Sequence, residues 1–172
     1  MKKFSCFIAA LIIVLTSNTL FAQQKQGVKL EGSLGIVTAD YPVETVFGLG
    51  VDMVYLFDIA GSLQLGPAVG YHNYFGQGNS LPPAMGGGRA KNVQVLPISA
   101  SARYYFMEDF FIGSDIGYGL HLDKNLDSES GFYFKPKMGL SWGPISTLLS
   151  YSSIIGEFET FSAVHLGFEV AF

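Results

Sequence analysis

A period-two alternation of bulky apolar residues is the feature that most constrains this sequence. It recurs in eight runs, close to residues 28–36, 47–55, 63–72, 93–106, 110–121, 132–142, 145–153 and 164–172. The last run is the most regular, with Val164, Leu166, Phe168, Val170 and Phe172 alternating with His165, Gly167, Glu169 and Ala171. Successive side chains of a strand point to opposite faces, whereas a helix repeats every 3.6 residues. The pattern predicts eight β-strands, each with one apolar face.

The segments between these runs predict antiparallel neighbours joined alternately by short and long connections. Short segments lie near Phe57–Gly61, Met107–Asp109 and Gly143–Pro144, and longer ones near Ala39–Glu44, Gly76–Lys91, Asp123–Gly131 and Ile155–Thr160. Short periplasmic turns and longer outer loops are typical of transmembrane barrels. Pro97 lacks the N–H that a strand ladder uses, so we expect a bulge early in the fourth strand.

The volume of an eight-stranded barrel decides which face points outward. Its interior has room only for filling side chains or for one small ligand. In this sequence the bulky face carries large apolar residues on nearly every strand, whereas the other face is mostly Gly, Ser and Ala with scattered charges. The predicted fold is therefore an all-β, eight-stranded antiparallel up-and-down transmembrane β-barrel, with its bulky face in hydrocarbon. A soluble secreted barrel, with its apolar face inside, is the alternative.

The first 22 residues have the features of a cleaved secretory signal peptide. Lys2 and Lys3 give a positive start, and Phe4–Leu15 is an uncharged apolar run too short to span a bilayer stably. Ala22 is the expected last residue of the signal, which leaves residues 23–172 as one barrel domain. A membrane anchor that stays attached is the alternative.

Charge and cysteine content exclude several classes of partner. The mature chain keeps 8 basic against 14 acidic residues once Lys2 and Lys3 are removed, a net charge of −6. Such a chain is not expected to bind nucleic acid. Cys6 is the only cysteine and lies inside the signal, so the mature chain offers no thiolate for a metal or a disulfide. No cofactor is predicted.

The C-terminal run and the barrel pattern together resemble a known family. The segment His165–Phe172 ends an alternating strand on a phenylalanine. In this respect, and over about Gly27–Phe172, the chain resembles the small outer-membrane β-barrels typified by outer-membrane protein X and the membrane domain of outer-membrane protein A. The resemblance implies the outer membrane of a Gram-negative-type bacterium, with its lipid and lipopolysaccharide as surroundings. It also implies that Phe168, Val170 and Phe172 are a signal for the barrel-assembly machinery.

Charged residues on the small-residue face predict a polar network in the lumen. Four basic and four acidic residues have inward positions: Lys29, Arg103, Lys135 and Lys137, and Glu31, Asp52, Asp115 and Glu169. Charges in a narrow interior require partners. We expect Arg103 and Lys135 or Lys137 to flank Asp115, and Lys29 to meet Glu169. The network would plug the barrel against ions; a charged conduction path is the alternative.

Two patterns in the sequence resemble enzyme or metal sites. His72 and His121 are expected near the outer rim, with Asp123 close to His121, and they are the residues to test for lipid-A-modifying catalysis. The run Ser150–Ser153 resembles a lipid-A deacylase strand end, but a serine stands where the catalytic histidine would be. The segment Asp123–Glu129 echoes a calcium loop without its glycine or its bidentate acid. The sequence therefore predicts neither catalytic nor metal-binding residues.

The predicted function is that of a non-enzymatic integral outer-membrane barrel. Its role would be structural or one of surface interaction through extracellular loops carried on a rigid frame. The connection Gly76–Lys91 is the first candidate to contact a partner at the surface. A small-solute pore and a lipid-A-modifying enzyme are the alternatives.

Overall fold

The computed structural model describes residues 26–38, 45–76, 92–122, 130–157 and 160–172. The predicted signal peptide, the domain boundary at residue 23, Asp123 and the calcium-like segment Asp123–Glu129 lie outside the described residues. Within the described ranges, no helix is long and apolar enough to cross a membrane.

Eight antiparallel strands form one closed barrel, as the alternation predicts. Their bounds are β1 Gly27–Val37, β2 Thr45–Ala60, β3 Leu63–Gly76, β4 Val93–Tyr105, β5 Phe110–His121, β6 Gly131–Trp142, β7 Ile145–Ile155 and β8 Thr160–Ala171. Each strand pairs with its neighbours in sequence, and β8 pairs with β1 to close the ring. Closure leaves no unpaired edge, which hydrocarbon would not tolerate.

The two ends of the barrel differ in how the strands are joined. At the short-turn end, residues 61–62, 106–109 and 143–144 join the strands, and Gly61 and Gly143 have the positive φ values of 51° and 64° that favour glycine. The other four junctions lie at the long-connection end. The predicted alternation of short and long connections fails between β7 and β8. Because β7 extends to Ile155, residues 156–159 form a connection no longer than the 106–109 turn.

The bulky apolar face points outward, as the volume argument requires. Leu34 and Phe168 are 59% and 60% exposed, whereas the inward Arg103 and Lys135 are fully buried. Exposed Val, Leu, Ile, Met, Phe and Tyr side chains occur on all eight strands. An apolar surface of this extent is a surface for lipid, not for water.

Pro97 does not produce the expected bulge. The β3–β4 register continues from the Val69↔Ile98 pair to the His72↔Val95 pair without a shift. The β4–β5 ladder also runs through Pro97, which pairs with Gly119. Pro97 therefore lacks one hydrogen bond of the ladder, but the pairing register of β4 with its neighbours does not shift. The register shifts lie instead near both ends of the β2–β3 pair.

Three apolar clusters lie inside the barrel, which the description of a mostly small inner face missed. Near the long-connection end the cluster contains Tyr74, Val93, Val95, Tyr133, Ile154, Phe161 and Ala163. Near the short-turn end, one cluster contains Val54, Leu56 and Ala68 and another contains Tyr105, Phe111 and Leu148. Their sequence signal is an apolar doublet such as Phe110–Phe111 or Leu148–Leu149, because one member of a doublet must point inward.

Candidate functional site: the charged lumen

All eight charged residues predicted for the lumen lie inside it. Each is at most 5% exposed, and the set comprises Lys29, Glu31, Asp52, Arg103, Asp115, Lys135, Lys137 and Glu169. They occupy β1, β2, β4, β5, β6 and β8. Alternation carries them inward because each has the opposite parity to the outward apolar residues of its strand. Removing this many charges from water is costly unless they pair with one another.

Arg103 and Glu169 form a two-bonded ion pair across the barrel. Nη1 of Arg103 donates to Oε1 of Glu169 at 2.7 Å, and Nη2 donates to Oε2. The strands β4 and β8 lie on opposite sides of an eight-strand ring, so the pair bridges the lumen. The guanidinium also lies 4.6 Å from the ring centroid of Phe111, which covers it with an apolar face.

Lys135 joins two carboxylates on strands far from its own. Its Nζ donates to Oε1 of Glu31 at 3.0 Å and to Oδ2 of Asp52 at 2.7 Å. Glu31 stands directly opposite Glu169 in the β1–β8 ladder and opposite Asp52 in the β1–β2 ladder. Like charges in such positions repel, so each carboxylate needs a cation. Lys135 and Arg103 supply those cations from the other side of the lumen.

Asp115 has one of the two flanking partners that the sequence predicts. Nζ of Lys137 lies 2.7 Å from its carboxylate. Arg103 does not reach Asp115, because the β4–β5 register places Ser101 opposite Asp115 and Arg103 opposite Gly113. Lys135 stands directly across from Asp115 in the β5–β6 ladder, but its ammonium turns to the carboxylates of β1 and β2. The predicted bracketing by Arg103 is therefore wrong.

Lys29 meets Glu169, as predicted, but as the weaker of two cations there. Its Nζ lies 3.8 Å from Oε1 of Glu169 and 3.5 Å from the hydroxyl of Tyr105. The guanidinium of Arg103 holds both oxygens of the same carboxylate. Lys29, Arg103 and Glu169 therefore form a cation–anion–cation cluster, in which Tyr105 adds a polar contact.

A histidine layer, made of His72, Tyr74, Ser152 and His165, continues the polar network toward the long-connection end. Nε2 of His72 donates to Oδ1 of Asp52 at 2.9 Å, since a carboxylate can only accept. The Tyr74 hydroxyl lies 3.3 Å from Nδ1 of His72 and 3.3 Å from Nε2 of His165. Oγ of Ser152 lies 2.8 Å from the same His165 atom. Sequence reasoning missed this layer, whose signal was a polar residue at an inward position on each of three strands.

Glycines in the barrel wall make room for this layer. A Cβ on Gly35 would lie 2.6 Å from Nδ1 of His165, and a Cβ on Gly70 would lie 2.0 Å from Oδ1 of Asp52. Both distances are shorter than van der Waals contact allows. The small inner face is therefore shaped around particular larger side chains, as a close-packed interior requires.

Of the three catalytic candidates, the structure describes His72 and His121. His72 is 1% exposed and lies within the histidine layer, where its Nε2 donates to Asp52. His121 ends β5 near the rim, where its ring packs edge-on to Phe161, and Asp123 lies outside the described residues. In the described part of the chain no cluster of three or more His, Cys, Asp or Glu side chains could hold a metal ion.

The C-terminal residues lie along the seam that closes the barrel. Phe168 and Val170 face outward from β8 and pair with Gly32 and Leu30 of β1. The backbone N–H of Phe172 donates to the carbonyl of Val28 at 2.9 Å. The residues of the predicted assembly signal are therefore also the residues that join the last strand to the first.

Similarity to known proteins is found in structure and not in sequence. The sequence matches no family model and no curated protein. The Yersinia pestis outer-membrane protein Ail, in a phospholipid nanodisc, has a TM-score of 0.56 at 13% identity, over 86% of this chain and 100% of Ail. The outer-membrane enzyme PagL has a TM-score of 0.57 at 13% identity, over 84% of this chain and 99% of PagL. The N-terminal barrel domain of Pseudomonas aeruginosa OprF has a TM-score of 0.52 at 13% identity, over 87% of this chain and 100% of that domain.

These likenesses are likenesses of fold. The chain has the eight-stranded architecture of small outer-membrane barrels, as its resemblance to that group predicts, and this architecture agrees with the predicted outer-membrane location. The similar structures include both an enzyme and barrels without a stated activity, so the fold leaves the biochemical role to the residues.

Proposed function

We propose that this chain, which has the fold of the small outer-membrane barrels, is a non-enzymatic frame that carries its outer connections at the cell surface. One observation carries the proposal. The charged side chains of the lumen pair with one another, and apolar clusters lie on both sides of them. A barrel filled in this way is stiff and leaves the outer connections as the variable part.

The alternative of a small-solute pore is tested by conductance. The purified barrel, reconstituted in planar bilayers in potassium chloride, is expected to give current close to that of protein-free lipid. The reason is that an ion would have to displace the Arg103–Glu169 and Lys135–Asp52 pairs, and their partners would then stand unpaired. Reproducible single-channel steps from the wild-type barrel would contradict a plugged lumen.

The enzyme alternative is tested on lipid A itself. Mass spectra of lipid A from cells that overexpress the barrel are expected to match those of cells with an empty vector. His72 donates to Asp52 inside the lumen, where no lipid headgroup reaches it. A mass change abolished by His72→Ala or His121→Ala, with the barrel still folded, would replace this proposal.

The connection between β3 and β4 is the best candidate for a surface contact. Residues 77–91 include Arg89 and Lys91 and no acidic residue, in a chain whose net charge is negative. A structurally similar barrel, Ail, has been crystallised with the heparin analogue sucrose octasulfate. We therefore propose a sulfated or otherwise polyanionic surface partner, attracted by these two cations.

Calorimetric titration of the barrel with sucrose octasulfate tests that partner. Wild type is expected to bind, and R89A/K91A to lose most of the signal while keeping the gel mobility of the folded barrel. Equal binding by both forms would remove this connection from the proposal. Absence of binding by either form would remove the polyanion and leave the frame itself untouched.

The assembly role of Phe168, Val170 and Phe172 is also proposed. Their outward or terminal positions on β8 would leave them accessible before β8 pairs with β1. In proteoliposomes that contain the barrel-assembly machinery, Phe172→Ser is expected to fold more slowly than wild type. Equal folding rates in plain lipid would show that the loss concerns the machinery, and equal rates in both would contradict the role.

A further inference from the structure

A groove lies on the outward apolar face of β5–β8. Its volume is about 210 Å³, and it is lined by Phe110, Met138, Gly139, Leu140, Thr147, Leu148, Leu149 and Leu166. Gly139 pairs with Leu148 in the β6–β7 ladder. Both residues have inward parity, so their backbone forms the floor, and the outward side chains form the walls. The groove exists because Thr147 is a short outward side chain among larger ones such as Met138, Leu140 and Leu149.

The position of the groove decides which kind of molecule occupies it. Its walls belong to the exposed apolar band: Met138, Leu149 and Leu166 are 48%, 49% and 53% exposed. In a membrane this surface meets only lipid hydrocarbon, and a void left there would forfeit dispersion contacts. A flexible chain of methylenes can follow the apolar groove and restore those contacts.

Charged residues next to the groove favour one kind of headgroup on a lipid whose acyl chain occupies it. Phe110, in its wall, directly follows Glu108 and Asp109, which are exposed in the β4–β5 turn. The carbonyl of Asp109 accepts a hydrogen bond from the N–H of Ser141 at 2.7 Å, which fixes the turn beside β6. Among the described residues of the short-turn end, the exposed charged side chains are Asp58, Glu108 and Asp109, and all three are acidic. This rim repels anionic headgroups and attracts an ammonium group.

We propose that the groove binds one acyl chain of a phospholipid whose headgroup carries an ammonium, an ethanolamine phospholipid, in the leaflet at the short-turn end. The proposal rests on the membrane residence of the barrel. It adds a lipid-binding site on the outer wall, away from the lumen and from the outer connections. Packing in the groove would hold the chain, and Glu108 and Asp109 would select the headgroup.

Photo-crosslinking tests the acyl-chain contact. The folded barrel is placed in nanodiscs that contain an ethanolamine phospholipid with a diazirine on its acyl chain, and adducts are mapped by mass spectrometry. Met138 and Leu149 have matched controls in Met53 and Leu49, which are 51% and 47% exposed outside the groove. Labelling at the groove residues is expected to exceed that of the controls about threefold. Equal labelling would overturn the groove, whereas no labelling of any outward residue would contradict the membrane barrel itself.

Two variants separate the groove from its rim. Thr147→Phe fills the groove and is expected to reduce labelling at Met138 to the level of Met53, whereas Ala100→Phe, outward on β4, leaves it unchanged. With E108Q/D109N, labelling at Met138 is expected to become equal for ethanolamine and glycerol phospholipids. A preference for ethanolamine that survives E108Q/D109N would overturn the role of the rim, and labelling unaffected by Thr147→Phe would overturn the groove.

Discussion

The Arg103 guanidinium on β4 holds both carboxylate oxygens of Glu169 on β8, 66 residues away in sequence and on the opposite side of the ring. The pair links two opposite walls of the barrel, whereas the main-chain hydrogen bonds link only adjacent strands. Both side chains are fully buried, so the loss of Glu169 leaves Arg103 a buried charge without its carboxylate, and the loss of Arg103 leaves Glu169 with only the longer, 3.8 Å contact to Lys29.

Removing one partner of the Arg103–Glu169 pair is expected to destabilise the barrel. Arg103→Met or Glu169→Gln should lower the free energy of unfolding by about 3–5 kcal/mol, because the remaining charge stays buried. Urea unfolding in lipid vesicles, followed by gel mobility, measures the loss. The double variant should lose less than the sum of the two single losses, and strict additivity would show that the two residues do not act as a pair.

Lys135 and Lys137 differ in how many carboxylates depend on them. Lys135→Met leaves both Glu31 and Asp52 without that ammonium, whereas Lys137→Met affects Asp115 alone. Both variants remove one buried cation of the same kind, so they control for each other. We expect Lys135→Met to be the more destabilising by about 1 kcal/mol or more in the same unfolding experiment. The reverse order would contradict the bridging role of Lys135.

The wall glycines offer a matched test of interior packing. Gly35→Ala places a methyl 2.6 Å from Nδ1 of His165, whereas a methyl on the outward Gly32 has nothing within 4 Å. Gly35→Ala should cost about 1–3 kcal/mol through overpacking. Gly32→Ala should change the free energy of unfolding by less than about 1 kcal/mol, in either direction. Equal costs would mean that the inner wall is not fitted to His165.

A charge on the outer wall tests the hydrocarbon environment. Leu166, near the middle of β8, is 53% exposed, and Met107 in the β4–β5 turn is 66% exposed. Leu166→Arg should cost about 2–4 kcal/mol, and Met107→Arg about 0–1 kcal/mol, because the penalty depends on depth in the bilayer. A water-facing surface would tolerate both. Comparable small losses would therefore contradict a transmembrane barrel.

The single tryptophan reports the depth of the short-turn end. Trp142 ends β6 there and is 58% exposed on the outward face. Tryptophan prefers the membrane interface. Its fluorescence should be quenched more by lipids brominated near the ester groups than by lipids brominated near the chain ends. Stronger quenching by the chain-end label would place this residue in the bilayer centre and contradict an interfacial position.

The prediction of lumen partners was good for near neighbours and poor across the barrel. Lys137 with Asp115, and Lys29 with Glu169, lie on adjacent strands, where strand order alone brings residues together. The adjacency of β4 and β5 predicts that Arg103 meets Asp115, but the register offsets the two residues, and the long side chain of Arg103 reaches β8 instead. The histidine layer was missed because His72 and His165 lie on strands that are far apart in sequence.

Alternation by itself determined how the side chains of each strand divide between two faces, since each residue along a strand reverses the direction of its side chain, and the narrow bore determined which face meets lipid. Together with the narrow bore, it determined the number of strands, the closed barrel and the burial of eight charges. Only the tertiary structure decided which charge meets which, and it also created the groove beside Gly139. Those contacts depend on register and on reach across the lumen, which bring together residues that no local pattern connects.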